Sequence, residues 1–474
     1  MKPPLLFSDD SWLVVNKPTG LSSHASQAGG QGLVEWLQLH LGHSLHLCSR
    51  LDKGTSGLIL LARDASASAL AQEIHGRGGA EKIYHLVSRQ PGPGPAWQED
   101  APLDGKACTT RFRLLAKGHG HYLHEAVISR GRTHQIRRHA ARAGIPIVGD
   151  GDYGGAPFPR LCLHCQKIRW PGLPELVAPA PDSFGLLLAG RSGLELEAAL
   201  AWERRLAWPL LVGDCLRLVH RGELSELPLS IDLYGPCLII SYFGEERSHS
   251  LQEKLAPLLT YLGSKVKWDS LVLRSQGVNP HGGRLVRGDL VWQGAVPEEE
   301  VVVAEHGLRY VINPQGREHL GLFLDQRDSR RRVALATKDK RVANLFAFSC
   351  SFSLAAVAAG AEVVFSVDLA ASALARGKEN FALNGLDQGG RGKFIREDVT
   401  KWLARQLRKK EREKGSFVPW DLIICDPPVF ASAGKGRTFQ VEREWPRLAK
   451  QVREILAPRG AALFANNHRA GSSS

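Results

Sequence analysis

The sequence predicts a multidomain protein of mixed class: an α+β unit with an antiparallel sheet, a small β-rich central block, and an α/β unit on a parallel, doubly wound sheet. Three observations predict it. The chain has 474 residues, too many for one hydrophobic core when domains usually span roughly 100 to 200. Short β-type apolar runs with glycine-rich joins fill the chain up to about Ser183. After Leu322 the pattern turns to strand, helix, strand, helix.

In the first unit Trp12–Asn16 and Leu58–Leu61 read as strands, and Pro91-Gly-Pro-Gly-Pro95 reads as a loop. A second proline cluster, Pro171 to Pro181, marks the first boundary. From Gly193 to about Leu218 the pattern is helical, with Leu194, Leu196, Leu200 and Leu206 apolar and Arg204 and Arg205 exposed. The β-rich block follows: Leu229–Tyr234, Cys237–Phe243, Ser270–Arg274 and Val301–Val303 alternate or run apolar between turn residues. Arg341–Phe346, Ser353–Ala359, Val363–Asp368 and Ser372–Asn384 then supply the strand–helix alternation. The mixed-sign run Arg405–Lys414 is a solvated helix end or loop. The expected units are residues 1–187, 188–310 and 311–474.

The balance of 61 Lys+Arg against 48 Asp+Glu gives a net charge of +13 and a pI near 9.5. That excess favours a polyanionic partner, because cations that neutralise phosphates release counterions. The N-terminus turns acidic at Asp9 and Asp10, so no secretory signal core is expected. The apolar stretch Leu345–Ala361 is broken by serines and falls short of the ~20 residues of a membrane span; a buried strand–helix unit is expected there, and no membrane partner. Eight cysteines without secretory context point to reduced thiols in the cytoplasm. Cys162 and Cys165 are the only close pair, and alternation with Leu161 and Leu163 suits a core strand better than a metal site. No metal is expected.

In Cys48-Ser-Arg-Leu-Asp52-Lys-Gly-Thr-Ser-Gly57 a lone carboxylate sits in a tight polar turn before a buried strand. From spacing alone Asp52 is equally a turn residue. The stretch resembles the active-site motif of the RluA family of RNA pseudouridine synthases at Arg50, Leu51, Asp52, Thr55, Ser56 and Gly57, departing at Ser49, where the family commonly has His. Asn16-Lys-Pro-Thr-Gly20, Glu81-Lys-Ile-Tyr84, Gly131-Arg-Thr-His-Gln-Ile-Arg-Arg-His139 and Pro146-Ile-Val-Gly-Asp150 follow the same pattern in order. The resemblance covers the whole first unit and implies conversion of uridine to pseudouridine, without a cofactor. Asp52 would act at the sugar, kept ionised by Arg137, since a nearby cation lowers a carboxylate pKa by ~1 to 3 units. Tyr84 would stack on the base and its hydroxyl would assist proton removal. Arg50 would fill the space left by the extruded nucleotide, and Arg132, His134 and Gln135 would contact RNA, with Arg130, Arg138 and Arg142 as phosphate contacts or surface charge.

A nucleotide-like cofactor in a doubly wound sheet binds at the carboxyl ends of the strands. Asp368 ends the second strand, where an acid meets ribose hydroxyls; Phe346, Ala347, Phe348 and Ser349 form the loop after the first. Asp398 is placed for an adenine amine, with a helix cap as the plainer alternative. Asp426-Pro-Pro-Val-Phe430 brings a carboxylate, a rigid turn and a ring toward an acceptor base. These residues, with Leu320-Gly-Leu-Phe-Leu-Asp-Gln-Arg-Asp-Ser-Arg330 and the block around Arg217–Tyr234, resemble the ribosomal RNA methyltransferases of the RlmI and RlmK kind over about Leu194–Arg469. The resemblance implies a Rossmann-like domain using S-adenosylmethionine (SAM), contact of Arg327 with the cofactor, and RNA, most readily 23S ribosomal RNA, as partner. RlmI-like enzymes place a cysteine after the last core strand; here Leu463-Phe-Ala-Asn-Asn-His-Arg469 has none, and Asn466 and Asn467, with Phe439–Arg443, resemble RlmK, which methylates guanine N7. Cytosine C5 methylation, or an inactive C-terminal RNA-binding module, are the alternatives. Cys350 stands where the family loop has glycine, so its side chain would crowd the cofactor or demand an altered turn.

Overall fold

The structure, a computed structural model, describes residues 5–25, 32–205, 213–244, 248–278, 285–294, 299–316, 319–387, 389–413, 415–428, 430–432 and 438–465. The N-terminal sheet has ten strands, with the main order Leu5–Ser8, Trp12–Lys17, Ser56–Ala62, Leu163–Arg169, Glu81–Ser88, His121–Ile128, Thr110–Gly118 and Ala96–Glu99. Its pairings are antiparallel, as expected, except at the centre, where Ser56 and Gly57 run parallel to His164 and Cys165. Gly57 is needed there: its φ is +114°, and a Cβ would lie 2.3 Å from the Cys165 carbonyl oxygen. That close approach anchors the strand following Asp52. Cys162 and Cys165 are fully buried, Cys165 within the strand.

The proline cluster is not a boundary: Leu176–Val177 pairs with Leu163–Arg169, and Phe184 and Leu187 of the helix Asp182–Leu188 pack into the N-terminal core. The helix expected to reach Leu218 spans Leu194–Arg205, and Cys215–Val219 is a strand, because a short, mostly apolar run fits either period. Arg205 is buried, bonded to Glu223 and to the Arg217 carbonyl, rather than exposed.

The central sheet runs Cys215–Val219, Leu229–Tyr234, Cys237–Tyr242, Ser270–Val278, Leu285–Gly294. Its one parallel pair is joined by the helix Ser248–Gly263. A hairpin, Val301–Glu305 with Leu308–Ile312, leads to the last unit. There five parallel strands lie in the order Gly392–Arg396, Val363–Asp368, Arg341–Leu345, Trp420–Cys425, Leu456–Phe464. The order reverses beside Arg341–Leu345, which opens a crevice at the strands' carboxyl ends. The Leu345–Ala361 stretch is the expected strand and helix, and among the described residues no helix is long and apolar enough to cross a membrane.

Candidate active sites

The Asp52 turn is closed by Thr55 N donating to Asp52 O at 3.0 Å and is held from the Asn16–Gly20 segment. Thr19 Oγ1 donates to Gly54 O at 2.7 Å, and Gly20 N to Lys53 O at 2.8 Å. Lys17, fully buried, donates from Nζ to the carbonyls of Pro18, Leu21 and Lys53 at 2.8, 2.7 and 3.3 Å. Burial lowers its pKa to about 7, against the pull of Asp52, while Arg160 lowers it further. Asp52 itself is about a third exposed, at 32%, on a cavity of about 1010 Å³ also lined by Arg50, Tyr84, Arg132, His134, Gln135 and Arg137. Motifs spread from Arg50 to Arg137 thus converge on one space.

The partners inside that space differ from expectation. Arg137 does not pair with Asp52. Its Nε and Nη2 make a fork with buried Asp150 at 2.7 and 2.6 Å, and Nη2 also reaches Asp152 at 2.6 Å; planar guanidinium and carboxylate match best in this way. Asp52 influences Arg137 only through space. The group beside Asp52 is His134, with Nε2 4.0 Å from Oδ1 and Nδ1 3.0 Å from the Tyr153 hydroxyl. Gln135, expected on RNA, is buried: its amide donates to Thr109 O and Thr110 Oγ1 and accepts from Arg132 N, so it shapes the loop. Arg132 Nε is buried without a hydrogen-bond partner among the described residues, a donor open to a ligand. Tyr84 is 5% exposed. Burial and its contact with Cys165 push its phenol well up, so it keeps its proton and is suited to stacking rather than to acting as a base.

At the second site, three residues in the loop after Arg341–Leu345 adopt positive φ: Phe346 at 57°, Phe348 at 46° and Cys350 at 60°. Such backbone is costly for residues with a Cβ and needs outside support. Asp368 provides it, accepting from Phe348 N and Ala370 N at 2.8 Å each. Ser349 Oγ donates to Gly321 O at 2.5 Å, and Asn380 Nδ2 to Ser349 O at 3.3 Å. Cys350 holds a left-handed backbone, the conformation that favours glycine. Its thiol, buried and pushed up to about 12, turns toward Gly377, where a Cβ would lie 2.5 Å from Sγ. Phe348 and Ser349 line a cleft of about 320 Å³ with Gly321, Ser372, Ala373 and Arg376.

Asp426 follows the strand Trp420–Cys425. Desolvation first, then the nearby Asp325 carboxylate, raise its pKa to about 6, opposed by Arg330. Cys425 is buried, with its thiol pushed up by burial and Asp426. Asp398 serves as a helix cap: its Oδ1 accepts from Lys401 N at 3.1 Å and Thr400 Oγ1 at 2.5 Å. Arg327, expected at the cofactor, donates to the Cys215 carbonyl of the central sheet. It sits where the Leu320–Arg330 element docks on that sheet, and Tyr234 Oη donates to Leu322 O there at 2.7 Å. The side chain of Phe430, and Asn466 and Asn467 altogether, lie outside the described residues.

A family model for S-adenosylmethionine-dependent methyltransferases matches residues 224–473. The chain belongs to that family. An RNA pseudouridylate synthase model matches residues 11–142, so this methyltransferase is fused to an N-terminal synthase domain, as the motifs implied. Over 246 residues it is 32% identical to the ribosomal RNA large subunit methyltransferase I of Aeromonas salmonicida (strain A449), covering 51% of this chain and 58% of that one. Over 171 residues it is 36% identical to the ribosomal RNA large subunit methyltransferase K/L of Shewanella sp. (strain ANA-3), covering 36% of this chain and 23% of that one. The chain therefore spans less than two thirds of either relative. Among solved structures, human RNA pseudouridylate synthase domain containing 4 aligns over 38% of this chain and 90% of its own, with 25% identity and a TM-score of 0.34.

Lys17 and Asp150 both stand inside quoted motifs; a lysine between Asn and Pro at the end of a buried strand signals an internal ammonium. Asp325 signalled a second acid by standing two residues before Arg327.

Proposed function

We propose that the chain is a bifunctional, cytoplasmic RNA-modification enzyme. In this reading residues 1–187 isomerise uridine to pseudouridine, 188–310 form the linker helix and central domain, and 311–474 methylate a base of ribosomal RNA, 23S in particular, at guanine N7. The observation that carries the first activity is the convergence of Asp52, Arg50, Tyr84, Arg132, His134 and Arg137 on one cavity. Asp52 acts at the sugar as the glycosidic bond breaks, Tyr84 holds the base, and Arg50 fills the gap in the stack. Arg137 braces the wall through Asp150 and leaves the through-space cation for Asp52.

For the second activity, SAM fits the crevice: an acid ends the second strand, and two crowded carboxylates, Asp325 and Asp426, favour a nearby cation. When bound, SAM supplies an electrophilic methyl group. Phe346–Ser349 and Asp368 would hold it, Asp426 would orient the acceptor, and Phe430, Asn466 and Asn467 would meet the RNA. Cytosine C5 methylation needs a thiolate to attack the ring. Cys350 and Cys425 are buried and held protonated, which supports a nitrogen already nucleophilic by its lone pair. Mass spectrometry of nucleosides and mapped fragments of RNA from cells with and without the gene tests the reading. Loss of one pseudouridine and one 7-methylguanosine is expected; loss of 5-methylcytidine would overturn the base assignment, and unchanged pseudouridine the first activity.

A further inference from the structure

The linker helix Leu194–Arg205 belongs to the central unit by its packing. Ala198, Ala199, Ala201 and Trp202 share a core with the central strands. Glu203, on the same helix, reaches instead into the N-terminal unit. Its Oε2 accepts from Arg160 Nη1 at 2.7 Å and its Oε1 from Ser183 N at 2.9 Å. The two side chains are 7% and 4% exposed, so this is a buried ion pair between the halves.

Arg160 leads directly to the catalytic turn. Its Nη2 donates to Ser56 Oγ at 2.6 Å, and Ser56 begins the strand that follows Asp52. His164 completes the arrangement. Its Nε2 lies 3.3 Å from the Ala178 carbonyl, which can only accept, so Nε2 carries the proton and Nδ1 receives the Ser56 hydroxyl at 2.9 Å. Burial holds that imidazole neutral, with a pKa near 3. The guanidinium thus has one counter-charge in this network, and it comes from the other half of the chain.

A second cleft, of about 560 Å³, is lined by both Arg160 and Asp52, with Arg137, Asp150 and Asp152 on its walls. A buried guanidinium deprived of its partner takes the nearest available carboxylate, because leaving it unpaired is costly. Asp150 and Asp152 are already held by Arg137. Asp52 is the acid left.

We propose that Glu203 is a positioning residue of the uridine-isomerising site, supplied by the methyltransferase half, and that it keeps Arg160 from capturing Asp52. The inference rests on reading the first site as a pseudouridine synthase, and it makes that activity dependent on the fused half.

The test compares full-length wild type, Glu203→Gln and Arg160→Gln/Glu203→Gln for pseudouridine formation, RNA KM, methyl transfer and thermal unfolding. Glu203→Gln is expected to lower the kcat for pseudouridine at least tenfold with KM within twofold. The double variant, with no stray guanidinium, is expected to recover most of that loss. Wild-type kcat in folded Glu203→Gln, or a double variant as slow as the single, overturns the proposal. If Glu203→Gln does not fold, Glu203→Asp, which keeps the charge but withdraws it, serves instead: reduced kcat at unchanged KM supports the proposal and wild-type kcat overturns it. A wild-type protein that forms no pseudouridine on any RNA refutes the synthase reading itself, an outcome separate from these.

Discussion

Replacing Asp426 by asparagine should stabilise the C-terminal unit while abolishing its work. In the fold this carboxyl titrates near 6 instead of 3.8, because it is desolvated and faces Asp325. Between those values the folded chain holds a proton that the unfolded chain has lost. Stability therefore falls as pH rises through that window, and the penalty is complete above about 6. At about 1.4 kcal/mol per pH unit the penalty is ~3 kcal/mol, reduced to about 2 because the carboxyl keeps some contact with water. Asparagine has nearly the same shape and no charge, so Asp426→Asn should gain about 2 kcal/mol at pH 7.5 and nothing at pH 4. Hydrogen exchange followed on peptides from Trp420–Cys425, with wild type and variant compared at each pH, isolates this group and its coupling to Asp325, because the titrations of uncoupled groups cancel. Methyl transfer should fall at least tenfold, since an anion placed where charge reorganises is worth on the order of 10² in rate. Equal protection of the two proteins at pH 7.5, or the same gain at both pH values, would refute the reasoning.

Asp52→Asn should eliminate pseudouridine formation and leave methyl transfer within twofold of wild type, as measured by nucleoside mass spectrometry; joint loss would contradict two separate sites. Lys17 gives the opposite slope to Asp426. Its folded pKa of about 7 lies below 10.5, so the folded chain binds fewer protons in between and stability rises with pH, by up to ~5 kcal/mol over the whole interval. Lys17→Met should lack that rise in urea denaturation at pH 7 and pH 9, and parallel curves for the two proteins would exclude it. Gly377→Ala should cost roughly 1 to 3 kcal/mol by overpacking against Cys350, since the new Cβ would lie 2.5 Å from Sγ and 2.9 Å from Cβ. Adding Cys350→Gly should recover part of that loss in thermal unfolding, whereas strictly additive losses would mean that the two positions do not share the space.

The sequence carried those parts of the molecule whose signal is local or ordered. The alternation from Arg341 to Asn384 announced the parallel sheet, and five motifs in order announced the first cavity. What it could not carry was the choice among competing partners. Arg137, Asp52, Asp150 and Asp152 are all visible as residue types, yet only the folded loop shows that the guanidinium faces Asp150. Gln135 and Arg327 were assigned to ligands but serve the backbone, because an amide or guanidinium satisfies either equally well in sequence. Asp398 followed the general preference of an acid before a helix. The Cys215–Val219 strand was hidden because five mostly apolar residues after a helical run fit both periods. Glu203 and Arg160 lie 43 positions apart, and no periodicity links them.

The two acids proposed for catalysis have opposite surroundings, and the contrast has a consequence for cofactor binding. Asp52 stands among basic side chains supplied by the fold: Lys17 beneath the turn, His134 beside it and Arg137 across the cavity. Asp426 instead faces another carboxylate and is partly protonated near pH 6. Its neighbouring cation, Arg330, is already forked to buried Glu305, and the SAM sulfonium would bring another. Binding and ionisation should then be linked: the cation favours the charged carboxylate, so SAM affinity should rise with pH through about 6, by up to the tenfold or so that one pKa unit represents. S-adenosylhomocysteine has a neutral thioether in place of the sulfonium and should show little of this dependence. Calorimetric titration of both compounds at pH 5 and pH 7.5, on wild type and Asp426→Asn, separates charge from shape. A flat profile for SAM, or the same slope for both compounds, would mean that the Asp325–Asp426 pair does not face the sulfonium.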